Sequence, residues 1–131
     1  METRMVRPTL PLLMLLAAIL TGCALITKAP PIANAGPDVT VRIGERVSYD
    51  GSGSVDLDGG KIVYYKWYVT AAPEGQEDQV GQVLREGPEA ATWTSDRPVG
   101  EQDLGEWMIE LWVTDDEGHS ATDDMTLKVI R

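Results

Sequence analysis

The feature that most constrains the fold is a regular alternation of apolar side chains within short segments. Residues 106–114, EWMIELWVT, show it most clearly. One alternate set is large and apolar: Trp107, Ile109, Leu111 and Val113. The other set is Met108, Glu110 and Trp112. Because successive side chains of a β-strand point to opposite faces, the segment predicts a strand with its first set buried.

Similar short segments follow one another along most of the chain. They are residues 39–43, 47–49, 62–70, 80–86, 91–95 and 121–130. We find no amphipathic helical pattern after the first 22 residues. Six or seven short strands within about 95 residues predict an all-β fold, namely a small β-sandwich.

The amino terminus has the pattern of an export signal. Arg4 and Arg7 precede an uncharged apolar run at residues 10–20. That run is too short to span a hydrocarbon core about 30 Å thick, which needs about 20 residues. A charged start followed by a short apolar run is typical of a secretory signal peptide.

The next residues, Leu20-Thr21-Gly22-Cys23, resemble the lipobox of bacterial lipoproteins at all four positions. The resemblance implies cleavage before Cys23 and lipid attachment to it, whereas the alternative is an ordinary signal with an incidental cysteine. Ala24 is not the Asp associated with inner-membrane retention, so the family rule points to the outer membrane of a two-membrane bacterium. Residues 24–31 would form a tether of at most roughly 29 Å.

The expected organisation is therefore a signal peptide at 1–22, a lipidated cysteine and tether at 23–31, and one domain at 32–131. The expected location is the bacterial cell envelope, with the domain anchored to the membrane through lipid. The net charge of −10 argues against binding nucleic acid, which needs a basic face.

The sequence offers no evident catalytic machinery. His119 is the single histidine and is expected in an exposed turn, and Cys23 is the single cysteine. These two cannot supply a conventional Ser–His or Cys–His pair. Paired carboxylates leave a small hydrolase open as an alternative, but a sandwich of this size has no evident cleft. We therefore expect a protein that is not an enzyme.

Several blocks of residues 32–131 resemble the polycystic-kidney-disease (PKD) domain. They are Gly36-Pro37, Gly44, the DGSGS run at 50–54, Trp67, Gly105-x-Trp107 and Thr114-Asp115-Asp116. The resemblance implies an immunoglobulin-like β-sandwich of about seven strands. This domain type is common in extracellular and exported bacterial proteins.

The resemblance also sets expectations for individual residues. Trp67 would be the large side chain buried between the sheets, with Val63, Tyr65 and Val69 on the same face. Trp107 stands where the family usually has a corner tyrosine that bonds back to the backbone, so that hydrogen bond must change or vanish. Residues 71–90 are longer than the usual connection and are expected to protrude as a loop containing a short strand.

Two loops and the start of the first strand should meet at one end of such a sandwich. The polar residues gathered there would be Asn34, Asp56, Asp58, Asp115 and Asp116. Calcium takes six to eight oxygen ligands from carboxylates, amides and carbonyls, and some relatives of this fold bind calcium near these loops. The alternative is that Asp and Gly simply make turns here. The only cofactor expected is therefore a structural calcium ion, if the loops are more than turns.

A second candidate site lies on the outer side of the sheet. The residues expected to face outward together are Tyr64, Tyr68, Met108 and Trp112, flanked by Lys66 and Glu110. An exposed apolar patch of this kind can bind a protein or a glycan. The alternatives are cross-strand pairing that stabilises the sheet, or cover by the 71–90 segment.

We therefore expect a lipid-anchored, non-catalytic binding or adhesion module that contacts protein or glycan. The alternative is a structural accessory subunit or spacer of an envelope assembly.

Overall fold

The computed structural model describes residues 28–131. The predicted signal segment, Cys23 and the first residues of the tether lie outside the described residues. The seven strands are β1 (Val39–Arg42), β2 (Ser48–Asp50), β3 (Ile62–Ala71), β4 (Val83–Gly87), β5 (Thr92–Thr94), β6 (Gly105–Asp115) and β7 (Ser120–Ile130). Among the described residues, two short 3₁₀ turns cover Glu77–Gln79 and Glu101–Asp103. Within residues 28–131, no helix is both long enough and apolar enough to cross a membrane.

The strands form two sheets that face each other. The larger sheet has the order β1-β7-β6-β3-β4, in which β1 runs parallel to β7 and the other neighbours are antiparallel. The smaller sheet pairs β2 with β5. The prediction of an all-β, immunoglobulin-like sandwich with about seven strands is confirmed.

Trp67 fills the centre of the core, as predicted. Its side chain is fully buried, and its ring centre lies 5.4 Å from that of Tyr49 and 6.5 Å from that of Trp93. The indole Nε1 donates a hydrogen bond to the carbonyl oxygen of Ala90 at 2.7 Å. A buried indole therefore fills the space between the sheets without leaving its polar atom unpaired.

The inward set of β6 is also buried as the alternation predicted. At the start of this strand, Trp107 Nε1 donates to the carbonyl oxygen of Asp103 at 2.8 Å. The hydrogen bond back to the backbone is thus present with an indole donor in the position of a phenol. Tryptophan in place of tyrosine therefore changes the donor but keeps a hydrogen bond between β6 and the segment that precedes it.

One local expectation for β3 is wrong. The pairing register shifts between Ile62 and Tyr64, so Val63 is half-buried and is not part of the core around Trp67. The segment after β3 forms a largely exposed loop over residues 72–80, and Gly81 N then donates to Val69 O at 2.7 Å where the chain returns to the sheet. The predicted short strand within this segment exists as β4.

Candidate functional site: the acidic loop end and the aromatic face

Three segments meet at one end of the sandwich: residues 28–36, 51–61 and 115–119, here called the loop end. Ile32 and Val55 exchange two backbone hydrogen bonds of 2.8 and 2.9 Å. Asp116 N donates to Lys61 O at 3.1 Å, which joins residues 51–61 to residues 115–119. The backbone therefore gathers the acidic residues of separate turns, as the fold class predicted.

Asp56 uses its two carboxylate oxygens differently. Oδ1 accepts a hydrogen bond from the backbone N–H of Asp58 at 3.0 Å, which closes a local turn. Oδ2 of Asp56 and Oδ2 of Asp58 are both buried without a hydrogen-bond partner. A buried oxygen left unpaired costs free energy, and the cost is larger for a charged group.

Gly60 creates the space beside these oxygens. A Cβ atom added to Gly60 would overlap both Asp56 Oδ2 and Asp116 Oδ1. The two carboxylates therefore converge on one point that only a glycine leaves open. We call Asp56 and Asp116, with the neighbouring Asp58 that closes the turn onto Asp56, the acid pocket.

Asp115 lies beside the acid pocket but serves the turn between β6 and β7. Its Oδ1 accepts hydrogen bonds from the backbone N–H groups of Glu117 at 2.9 Å and His119 at 2.8 Å. Burial acts to raise the pKa of Asp115, but these hydrogen bonds hold the pKa below its ordinary value. The half-exposed His119 ring also lies 3.3 Å from Asp115 Oδ2, so the predicted exposed histidine is partly engaged in this turn.

Asn34 is likewise occupied by its own segment. Its Oδ1 accepts a hydrogen bond from Gly36 N at 2.9 Å, and its backbone N–H donates to Ser54 Oγ at 2.9 Å. Within the described part of the chain, no three or more acidic, histidine or cysteine side chains are grouped so that they could hold a metal ion. Of the five predicted ligands, only Asp56 and Asp116 converge, beside Gly60, while Asn34 and Asp115 make turn hydrogen bonds.

The second predicted site lies on the outer side of β3 and β6. Its predicted members, here called the aromatic face, are Tyr64, Tyr68, Met108 and Trp112. Lys66 lies at the centre of this surface and not at its flank, opposite Trp112 in the strand register. Its Nζ is 4.4 Å from the centre of the Trp112 ring and 5.4 Å from that of Tyr68.

Hydrogen bonds hold the two tyrosines of the aromatic face. Tyr64 OH donates to Glu86 at 2.9 Å, and Tyr68 OH donates to Glu110. Burial, together with the hydrogen bond to Glu110, raises the pKa of Tyr68 to about 12. All four members of the aromatic face are half-buried, so the outward patch is partly exposed. Their cross-strand partners explain the burial.

Sequence reasoning missed a groove at the open side of the sandwich. It has a volume of about 530 Å³ and is lined in part by Tyr49, Trp93 and Trp107. Trp93 stacks on Tyr49 with ring centres 4.2 Å apart, and Arg85 covers the Trp93 ring at 5.0 Å. Its lining comes from strands of both sheets, which side-chain alternation within single strands cannot bring together.

Comparison with known families fits this architecture. The family model described as "K319L-like, PKD domain" matches residues 35–129. The chain belongs to the K319L-like PKD domain family. Domains of the PKD and immunoglobulin-like type are generally non-catalytic binding modules.

Individual proteins similar to this PKD domain are mostly longer. The Dyslexia-associated protein KIAA0319 homolog of Rattus norvegicus is 30% identical over 113 residues, which cover 83% of this chain and 10% of that protein. The chain thus spans about a tenth of the length of this curated relative.

Solved structures show the same fold. A nucleoside hydrolase-related hypothetical protein from Saccharophagus degradans, associated with carbohydrate metabolism, matches with a TM-score of 0.56 at 18% identity. That match covers 79% of this chain and 26% of the other. A structure of carbohydrate-binding modules from the β-sandwich superfamily matches with a TM-score of 0.51 at 27% identity, covering 80% and 36%.

Proposed function

We propose that this PKD domain is a lipid-anchored, non-catalytic binding module of the bacterial cell envelope. It contacts a glycan or a protein through the aromatic face. The membership in the PKD family supports a binding role. The lipobox-like residues ending at Cys23 support a lipid anchor, with the outer membrane as the location in a two-membrane bacterium.

The observation that carries the proposal is the arrangement of Lys66, Tyr68 and Trp112 across two neighbouring strands. Tyrosine and tryptophan are favoured anchors of binding interfaces, since they offer a large area with few rotatable bonds. Here the Lys66 ammonium and the Tyr68–Glu110 hydrogen bond hold both rings in place before any partner arrives. Fixing the rings in advance lowers the entropy lost on binding.

A glycan is the better supported of the two partner classes. Flat aromatic rings can stack on sugar rings, and Glu86 and Glu110 lie beside them as hydrogen-bond acceptors. The similarity to carbohydrate-binding modules, at 27% identity, points the same way. The test is binding of residues 24–131 to purified cell-wall glycan and to soluble polysaccharides, because that range contains all strands and core residues found in the described part of the chain.

The alternative function is a structural accessory subunit or spacer of an envelope assembly. The hydrogen bonds of Tyr64 and Tyr68 favour this alternative, because both hydroxyl groups already have partners within the sheet. A spacer needs no ligand of its own. Wild-type protein that binds neither glycan nor protein, while folding normally, would support this alternative.

We also propose that the acid pocket takes a structural calcium ion. Two observations support it: the unpaired buried oxygens of Asp56 and Asp58, and the convergence of Asp56 and Asp116 beside Gly60. Calcium accepts backbone carbonyls and water among its ligands, so it does not require a complete set of side chains. Bound there, the ion would supply positive charge that joins the loop segments, and no catalytic step.

The melting temperature in EDTA and in excess calcium tests the cation site. At 100 times its Kd, a ligand stabilises by about 2.7 kcal/mol, which raises the melting temperature by on the order of 10 °C for a domain of this size. Gly60→Ala should abolish the rise, because its Cβ would occupy the point between the two carboxylates. The exposed Asp78→Asn variant is the control and should keep the rise. No rise in wild type would contradict the calcium proposal and leave the binding function standing.

A further inference from the structure

The groove between the two sheets has an aromatic wall that carries two unpaired hydrogen-bond donors. Tyr49 is 6% exposed and lines the groove, and its hydroxyl has no hydrogen-bond partner among residues 28–131. Trp93 stacks on Tyr49 with ring centres 4.2 Å apart, and its buried Nε1 likewise lacks a partner among those residues. A buried donor left unpaired costs free energy. Both atoms therefore favour a ligand that brings hydrogen-bond acceptors into the groove.

The Tyr49 hydroxyl keeps its proton at any ordinary pH. Burial, with the charge of Asp103 as the second cause, raises the pKa of Tyr49 to about 12. The nearby carboxylate does not use this donor, because both oxygens of Asp103 accept hydrogen bonds from Arg97, at 2.6 and 2.9 Å. The hydroxyl is therefore available to an acceptor from outside the chain.

The lining of the groove favours a neutral ligand. Its two carboxylates each have an arginine partner, since Arg85 lies 3.1 Å from Asp96 and Arg97 holds Asp103. Most of the remaining lining is apolar and buried, and includes Val47, Val69, Trp107, Ile109, Leu127 and Val129. A charged ligand would lose hydration against this surface without gaining a free partner of opposite sign.

Size and chemistry together indicate the ligand class. The volume of about 530 Å³ lies within the range of about 300–1,000 Å³ that is usual for small-molecule sites. An acetamido group is neutral, and it joins an acceptor carbonyl oxygen to a methyl group that apolar surface can cover. We propose that the groove binds an N-acetylated sugar, with the acetamido oxygen accepting a hydrogen bond from Tyr49 and the methyl group against the apolar lining.

This site is separate from the aromatic face. Val69 and Ile109 line the groove from the inner side of β3 and β6. Tyr68 and Met108 precede them in the chain and therefore point to the outer side of the same strands. Binding in the groove and binding at the aromatic face can thus be measured independently.

Trp93 is held in a way that lets its ring adjust to a ligand. Tyr49 takes one face of the ring, and the Arg85 guanidinium lies over the ring at 5.0 Å. Arg85 is paired with Asp96 through side chains that are 40% and 93% exposed, and exposed ion pairs stabilise little. A small shift of Arg85 would allow Trp93 Nε1 to donate to a sugar hydroxyl.

NMR titration of ¹⁵N-labelled residues 24–131 with N-acetylated chitotriose tests the site. Cellotriose is the matched sugar, because it has a hydroxyl group in place of each acetamido group. The acetylated sugar should shift the indole N–H signal of Trp93, which Trp93→Phe identifies, and cellotriose at the same concentration should not. The comparison of the two sugars needs no substitution in the groove.

Tyr49→Phe tests the donor itself, because it removes the hydroxyl and keeps the ring. We expect it to bind the acetylated sugar about fivefold more weakly than wild type, as for loss of one hydrogen bond. The matched control is Tyr65→Phe, which removes a hydroxyl from a residue packed against the core outside the groove lining. It should bind as wild type does.

The outcomes separate this site from the aromatic face. A shift confined to the Trp112 indole would overturn the groove site while supporting the binding function proposed above. No shift of Trp93 with either sugar would also overturn the groove site, whatever the aromatic face binds. An equal response to cellotriose would overturn acetamido recognition, and so would Tyr49→Phe binding as tightly as wild type.

Discussion

Asp58 donates its backbone N–H to Oδ1 of Asp56, while the second oxygen of that same Asp56 carboxylate is buried and unpaired. One aspartate therefore closes a turn and still offers a free charged oxygen to the acid pocket. Turn formation and cation binding are not exclusive roles for such a residue, because each uses a different oxygen.

Asp56→Asn separates these two roles. The amide keeps an acceptor oxygen for Asp58 N–H and removes the negative charge facing Asp116. We expect the variant in EDTA to melt at or above the wild-type temperature, because two like charges no longer converge. Added calcium should no longer raise its melting temperature. Full retention of the calcium effect would show that Asp56 is not a ligand.

Trp107→Phe tests the hydrogen bond at the start of β6. The phenyl ring cannot donate to the Asp103 carbonyl, and it leaves part of the indole volume empty. We expect a loss of about 1–3 kcal/mol in the free energy of unfolding, measured in urea. The control, Trp112→Phe, loses no hydrogen bond recorded in the structure and should cost less. An equal cost for both variants would contradict the role given to Trp107 Nε1.

Gly51→Ala tests how closely the DGSGS run approaches the core. A Cβ at this position would lie 2.7 Å from Leu111 Cδ2 and 2.9 Å from Trp67 Cζ2. Overpacking of this kind costs about 1–3 kcal/mol. In a double-mutant cycle, Leu111→Ala should cost less in the Gly51→Ala background than in wild type, because it removes one clashing atom. Strict additivity of the two changes would show that the Cβ is accommodated elsewhere.

Asp103 should make stability depend on pH. Its hydrogen bonds from Arg97, the largest influence, and from Gly100 N hold the pKa of Asp103 below its ordinary value of about 4. A lowered pKa in the folded state adds stability above pH 4 that is lost as the pH falls through the folded value. Asp103→Asn should therefore destabilise the domain at pH 7, and the difference from wild type should shrink by pH 3. Urea unfolding at both pH values measures it, and a constant difference would contradict the assignment.

Side-chain alternation predicted the core well because strand geometry enforces it. Ile109, Leu111 and Val113 are buried as their spacing required, and Trp67 occupies the predicted central position. The alternation wrongly placed Val63 in the core, because a shift in register interrupts the pairing of β3 with β6 at that residue. A register shift depends on the partner strand, so it cannot be predicted from the alternation within one strand.

The acid pocket could be predicted only in part. Fold class was enough to bring Asp56, Asp58 and Asp116 to one end, since loops at the same end of a sandwich meet. It did not separate them from Asn34 and Asp115, whose polar atoms turn out to serve nearby backbone groups. The role of Gly60 depends on the distance between two segments far apart in sequence, which no local pattern contains.

The most direct test of the proposed binding function is the fraction of residues 24–131 that cosediments with purified cell-wall glycan. We predict that wild-type protein binds, that Trp112→Ala reduces the affinity at least about tenfold, and that Thr40→Ala binds as wild type does. Thr40 is an exposed residue on β1 of the same sheet, so it controls for general effects on the surface. Binding that is equally strong in Trp112→Ala, or lost equally in Thr40→Ala, would contradict the assignment of the aromatic face as the recognition surface.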